Sequence, residues 1–538
     1  MRQTERIALI NGRIHTPNGI VDSLTVEAGR VATVGAAPAS RPSGDARVFD
    51  LQGRTVLPGF CDSHAHFLHW AMAQEQVQLG GCRSLDELLE TLADFAAEHP
   101  FPAGGWYRGL GWTAENLRGA VPTRHDLDAI LPNVPVILWR ACEHVAAVNT
   151  AALEAAGITR DTRVERGTVE LGMDGEPDGI LKEAAVELVE RCLPPMSNED
   201  ITRLLHAYGP LAASFGLTEI HSDDLAVFSF DFRRAERFFM DAALAGDLPF
   251  RLREQMRLPS RDLLLDFLSD GWRSGDGVPF FQIGPMKLIC DGSLGGRTAC
   301  LRQDYADAWG ERGMALFDQE ELDDLVLTAH LSGMQTALHA IGDRTLDMCL
   351  EALERAQSER RWSARHIIVH AQVADDDQLD RMRALRLCAA VQPSFVPSDR
   401  AMARERLGQE RADRSYRWRT MMRRGIVLAS GSDAPIEDLR PLAGIQAAVT
   451  RAAPGSGEDA WNPKERLSVA EAIAACTWNA AWCGHNEGRR GEIAPGRDAD
   501  LVVLDQDPFA VHPGDLADVG VDLTLCGGRV THSSGHLD

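Results

Sequence analysis

The sequence predicts an α/β protein built around a parallel barrel of eight strands. Three observations predict it. Both chain ends carry short β-like runs, the middle alternates strand-like apolar runs with longer helical patterns, and polar residues gather at the ends of those runs. The length of 538 residues suits several ordinary domains, yet a barrel with insertions absorbs it as one. The expected division is 1–57 as one part of a small β-sandwich, 58–485 as the barrel, about 70–210 as an insertion after the first barrel strand, and 486–538 as the second part of the sandwich.

At the N-terminal end, RIALINGRIHT, SLTVEAGRVATVG and ARVFDLQGRTVLPGF are rich in Val, Ile and Thr and punctuated by Asn-Gly and Ala-Gly. ADLVVLD and DLTLCGGRVTH have the same texture near the C-terminal end, so the two ends pair into one sandwich; two separate β-decorations would fit the same pattern. Eight runs read as barrel strands: VLPGFCDSHAH (56–66), LTEIHSD (217–223), FRLREQM (250–256), GPMKLICDG (284–292), TALHAIGD (336–343), HIIVHAQ (366–372), LCAAVQPS (387–394) and IVLASGSDA (426–434). Between them, SRDLLLDFLSDG and QEELDDLVLTAHLSG have the apolar spacing of amphipathic helices. The stretch from the first strand to the second is too long for one crossover. It holds its own strand-like run, VPVILWRA, and reads as an insertion over the barrel mouth. Eight parallel strands with outer helices make a TIM (β/α)8 barrel, whose active site lies at the C-terminal ends of the strands.

Composition narrows the function. Hydrophobic residues make up 44% and charged residues 25%, which suits a soluble chain with a large core. With 55 basic and 79 acidic residues the formal charge is −24, which disfavours nucleic acid and anionic lipid as partners. No run approaches the length of a transmembrane helix, and IALI is too short for a signal-peptide core. The eleven cysteines form no CxxC pair and read as reduced thiols, so a cytoplasmic enzyme acting on a small molecule is expected, with a homodimer as the default assembly. Gly-Lys, HExxH and GxSxG motifs are absent, and no GxGxxG follows a strand.

The strand ends carry the chemistry. His64 and His66 stand two apart, so on a strand both face one way and can chelate one ion; alone, HxH is a weak signal. His339, His370 and Asp433 close three further strands, and Lys287 lies on another with Asp291 beyond it. Such groups are costly to bury unless paired or bound to metal, although satisfied core histidines with a salt-bridged Asp433 would also fit. Lys287 is one of only three lysines, beside Lys182 and Lys464, in a chain that otherwise uses arginine. A neutral lysine amine can take up carbon dioxide as a carbamate, which a guanidinium cannot do. The alternative is a plain ammonium beside a single metal.

PGFCDSHAH, KLICDGSLGGRTA, LHAIGD, VHAQ and SGSDAP occur in the order of the amidohydrolase superfamily, and the chain resembles its YtcJ-like branch, which includes N-substituted formamide deformylases. GEIAPGRDADLVVLDQDP, EHVAAVNTAAL and GEPDGILKEAA extend the resemblance from about residue 6 to 531. One segment departs from it: the branch's Asp-Gly-His reads Cys142-Glu143-His144. The resemblance implies that His64, His66 and Asp433 hold one divalent ion, His339 and His370 a second, and N-carboxylated Lys287 bridges them, with two zinc ions per chain the default. A metal-bound hydroxide would then be the nucleophile and Asp433 its proton shuttle, in hydrolysis of a non-peptide amide, formamide or N-acyl C–N bond. A deaminase or cyclic-amide hydrolase of the same superfamily, and a catalytically silent ligand-binding barrel, are the alternatives.

Trp112, His144, Asn149, Glu183, His221 and Arg297 are candidates for substrate contact, each with a structural role as the competing reading. Trp106 reads as an aromatic-wall or core residue, and Cys290, on the strand face opposite Lys287, as packing. The arginine-rich run 400–424 reads as an exposed helix.

Overall fold

Eight parallel strands follow one another around a nearly closed barrel in the computed structural model, which describes residues 6–35, 46–100, 105–141, 144–165, 167–455, 457 and 459–537. They are β1 (Phe60–Ala65), β2 (Leu217–Ser222), β3 (Arg251–Arg257), β4 (Phe281–Ile289), β5 (Thr336–Ala340), β6 (Ile367–His370), β7 (Cys388–Val391) and β8 (Val427–Ser430). Each pairs in parallel with the next, and the order in space is the order in sequence. The eight expected runs supply these eight strands. Side-chain caps start the intervening helices: Ser260 accepts from the Leu263 N–H before helix Arg261–Ser269, and Asp318 from the Glu321 N–H before Gln319–Leu331.

Between β8 and β1 the described residues show no ladder. The loop after β8 makes the seam instead. Asp433 N–H donates to the His64 carbonyl at 2.8 Å, His66 N–H to the Ala434 carbonyl at 2.8 Å, and Ser432 N–H to the Asp62 carboxylate at 3.1 Å. Gly431 permits this approach, since a Cβ there would stand 2.6 Å from the His64 nitrogen and 2.8 Å from its carbonyl oxygen. Part of the barrel interior away from the site is apolar, with Cys61, Ala337, Ile367, Val369, Cys388, Ala390 and Ala429 packed on Ala480 and Cys483 of helix Trp478–Cys483. A fully buried Ile or Val of this kind contributes about 1.5–3 kcal/mol.

The expected strand 56–66 is two strands. Thr55–Pro58 belongs to another sheet, pairing with Leu501–Leu504 and Arg13–Thr16, and the chain changes sheet at Gly59. A Cβ at Gly59 would meet the Thr218 side chain at 2.3 Å, so only glycine fits that crossing. That six-stranded sheet mixes strands from both chain ends. It shares one hydrophobic core, including Ile14, Phe49, Val56, Val503 and Leu523, with a four-stranded sheet made of N-terminal strands. Buried ion pairs tie the C-terminal segment to the barrel: Arg490 to Glu219 on β2 at 2.9 Å, and Arg251 on β3 to Asp500 at 2.8 Å.

Residues His69–Ser197 form a second compact unit. Its six-stranded sheet is covered by two hydrophobic clusters, one around Val77, Leu88, Trp112 and Leu138, the other around Trp106, Ile137, Leu153 and Leu181. The unit ends earlier than the expected 210, because helix Asn198–Ser214 contacts β2 and the strand Val521–Cys526. Among the described residues no helix is long and apolar enough to cross a membrane.

Candidate metal centre

His64, His66, Lys287, His339, His370 and Asp433 come from five strand ends and form one continuous cluster. His64 and His66 end β1, and their Nε2 atoms lie 3.3 and 3.2 Å from Asp433 Oδ1. Lys287 Nζ, on β4, lies 3.4 Å from His64 Nε2 and 3.4 Å from Asp223 Oδ2. His339 on β5 and His370 on β6 face each other, Nδ1 to Nε2, at 3.0 Å. One donor atom from each of His64, His370 and Asp433 falls within 4.8 Å of the others, all three buried. His370 and Asp433 are left-handed, at φ of 72° and 60°, a conformation that costs a non-glycine residue energy and concentrates at functional sites.

Hydrogen bonds fix which ring nitrogen points inward. The Asp223 carbonyl takes the His66 Nδ1 proton at 2.8 Å, and Gln392 Oε1 takes that of His370 at 2.7 Å, so both rings turn Nε2 to the cluster. His339 bonds the Gly292 carbonyl through Nε2 at 3.3 Å and so turns Nδ1 inward. Imidazole nitrogens and a carboxylate in a buried cluster suit a borderline-soft divalent ion, so the donor set fits a metal.

Electrostatics agree with this assignment. Burial, with Lys287 nearby, pushes His64 down to about 4, and burial with His339 nearby drives His370 well below the ordinary value. Both are neutral imidazoles at pH 7. Burial opposes ionisation of Asp433, but the close approach of the His64 and His66 rings overcomes it and holds the carboxyl well below its usual range. Lys287, 1% exposed, has its pKa lowered by burial against the pull of Asp223. The other lysines differ: Lys182 pairs with Glu170 and is half-exposed, and Lys464 is exposed. Asp223 is anchored by Arg257, whose Nη2 donates at 2.8 Å.

The substrate candidates fare differently. Asn149 is a correction: it caps helix Thr150–Ala155, its Oδ1 accepts from the Val136 and Ala152 N–H groups, and its Nδ2 donates to the Leu131 and Val134 carbonyls, which occupies every polar atom. Trp112 is another, buried in a core with Nε1 donating to the Leu138 carbonyl at 2.8 Å; Trp106 is buried likewise. His221 is a third, enclosed beside Glu219 at 3.3 Å and turned toward Gly484, on the side where Cys483 bonds Gln335 below β5. His144 and Glu183 form a part-exposed pair at 3.0 Å within the second unit. Arg297 binds Asp307 at 2.6 Å, and Arg406 reaches the same carboxylate, so this part of the arginine-rich run anchors a loop. Cys142 and Glu143 lie outside the described residues.

Asp291 is a backbone anchor, accepting from the Cys300, Ile341 and Gly342 N–H groups. Cys290 is buried toward Cys349, away from Lys287. A second potential ligand group, Cys61, Glu219 and His221, sits beside Arg490 and Arg253, and two guanidiniums make it an ion-pair network. Sequence reasoning missed Asp62, Asp223, Gln255, Arg257 and Gln392; Asp223, Arg257 and Gln392 had one signal, their place at or next to a strand end, whereas Asp62 and Gln255 lie within strands.

A parallel eight-stranded barrel with this cluster at its C-terminal end is the architecture of a barrel hydrolase, and the chain belongs to the amidohydrolase family, whose profile matches residues 47–532. It is 36% identical over 488 residues, 90% of each chain, to the YtcJ protein of Bacillus subtilis (strain 168). It is 27% identical over 548 residues, 98% of each chain, to an N-substituted formamide deformylase of Arthrobacter pascens. Among solved structures, an uncharacterized metal-dependent hydrolase of Pyrococcus horikoshii OT3 superposes with a TM-score of 0.78 at 28% identity, covering 95% of this chain and 99% of that one.

Proposed function

We propose that the protein is a metal-dependent hydrolase of a non-peptide C–N bond in an amide, formamide or N-acyl compound. The observation that carries this reading is the convergence of four imidazoles, an ionised carboxylate and a buried lysine on one end of the barrel. The formamide deformylase relative supports the bond class. His64, His66 and Asp433 would hold one divalent ion, His339 through Nδ1 and His370 through Nε2 the second, with zinc the default. When bound, such ions supply an acidified water and a Lewis acid for the substrate carbonyl.

The chain's own groups do the rest. Burial favours the neutral amine of Lys287, which is the form that attacks carbon dioxide. A new N–C bond then forms, a proton leaves, and the carbamate offers two oxygens where an ammonium offers none. Ionised Asp433 stands between His64 and His66 with an acceptor oxygen, placed to take a proton from the attacking water and pass it to the leaving nitrogen.

Elemental analysis of protein prepared without chelator and with bicarbonate tests the centre. Two metals per chain, falling sharply in Lys287→Ala, with turnover of N-formyl or N-acyl amines, is the expected result. One metal unaffected by that change would overturn the lysine bridge and favour a deaminase-type site. No metal after reconstitution would remove the reading.

A further inference from the structure

A histidine that ligates through Nε2 carries its proton on Nδ1 and needs an acceptor there. His66 and His370 have theirs, in the Asp223 carbonyl and Gln392 Oε1. His64 does not. The group at its Nδ1, 2.9 Å away, is Nε2 of Gln255, the donor side of the amide.

Two contacts set these amides in opposite senses. Gln392 Nε2 donates to the Ala390 carbonyl at 3.3 Å, which turns its oxygen to His370. Gln255 Nε2 donates to the His221 carbonyl at 3.2 Å, which turns its nitrogen to His64. Gln255 Oε1 is left buried and takes no hydrogen bond from any described residue. In this arrangement His64 Nδ1 accepts, so its proton sits on Nε2, the nitrogen aimed at Asp433 Oδ1 at 3.3 Å. A ring protonated there has no lone pair for a metal.

We propose that Gln255 is a positioning residue that turns its side-chain amide over when His64 ligates, whereas Gln392 stands ready for His370. The turn gives up the bond to the His221 carbonyl and gives the orphaned Oε1 a donor, the His64 Nδ1 proton. Both glutamines thereby set the tautomers of ligands on different strands, Gln255 from β3 and Gln392 from the residue after β7. The inference rests on the metal centre proposed above.

The test uses full-length protein stripped of metal and titrated with cobalt(II), followed by its visible absorption and by chelator competition. Gln255→Leu is expected to weaken one cobalt equivalent by about 10- to 100-fold. Gln255→Glu, which presents only acceptors, is expected to hold both equivalents at least as tightly as the parent. Thermal unfolding in chelator separates lost folding from lost affinity, with Gln255→Met as the second variant if the leucine chain does not fold. A leucine or methionine variant that binds like the parent, or a glutamate variant as weak as leucine, would overturn the proposal. Nitrogen-15 NMR of histidine-labelled protein provides a mutation-free arm. The His64 proton is expected on Nε2 before zinc and on Nδ1 after it; Nδ1–H in both states overturns the turn. His64→Ala is the control for the underlying reading: if it keeps both cobalt equivalents, the metal centre is wrong, whatever Gln255 does.

Discussion

Asp433 combines three properties that rarely coincide: a left-handed backbone, deep burial and an ionised carboxylate. The strain and the desolvation are both offset by contacts made to β1, so the residue is held by the partners it serves. Asp433→Asn keeps the shape and removes the proton acceptor. Turnover should fall by about 10²–10⁴-fold with KM little changed, once metal content is shown to match; near-normal kcat would take Asp433 out of proton transfer. At this scale the sequence was legible where chemistry is written in residue type. Histidines, an aspartate and an isolated lysine at strand ends marked themselves. Gln255 and Gln392 did not, because a glutamine that orients a ring is spelled like any solvent-facing glutamine. Trp112 and Asn149 misled for the converse reason: an aromatic and an amide suit a pocket, yet here one packs a core and the other caps a helix.

Among the elements, the join between β8 and β1 is the one with least redundancy. A handful of hydrogen bonds from the loop after β8 replaces a strand ladder, and those bonds also set His64, His66 and Asp433. Asp62, buried and pushed up to about 7 by that burial, accepts from the His64 and Ser432 N–H groups and knits the two ligand segments. Gly431→Ala puts a methyl against the His64 backbone, so we expect a loss of about 1–3 kcal/mol in urea unfolding together with weaker metal retention. Unchanged metal content at lowered stability would separate the seam from the site. Apolar runs told the eight strands from their helices, but the break at Gly59 was hidden, since β-like residues continue on both sides of it. What ends the first strand there is a close approach to Thr218, a partner far away in sequence.

For the molecule as a whole, a buried imidazole pair below the site makes stability depend on pH. Thr336 N–H donates to His366 Nδ1 at 3.0 Å, His366 Nε2–H to His330 Nδ1 at 2.8 Å, and His330 Nε2–H to the Arg360 carbonyl at 2.7 Å. Every proton is assigned, and one added at His366 Nδ1 would displace the Thr336 N–H donor, leave the Thr336 hydroxyl oxygen at 2.9 Å to accept it, and place a charge in a fully buried site. Burial lowers both pKa values, that of His366 to about 3. At this pair the unfolded chain therefore binds more protons between pH 3 and 6.5. The contribution of this pair is full above about pH 6.5 and declines as pH falls, by up to about 1.4 kcal/mol per pH unit for His366, while Asp62, pushed up to about 7, contributes in the opposite sense. The change in urea midpoint from pH 7.5 to pH 5.0 should be more favourable in His330→Gln than in the parent; an identical change in the two proteins removes the pair from the pH dependence. The seam carries a different consequence, one of timing. Its Asp62–Ser432 bond joins residues 370 apart in sequence. No pairing of neighbours can close so long a loop early. A chain emerging from the ribosome can lay down strands one after another, but His64 meets Asp433 only after β8 has been made. The reactive cluster is thus assembled late, and a chain interrupted before residue 433 cannot complete it.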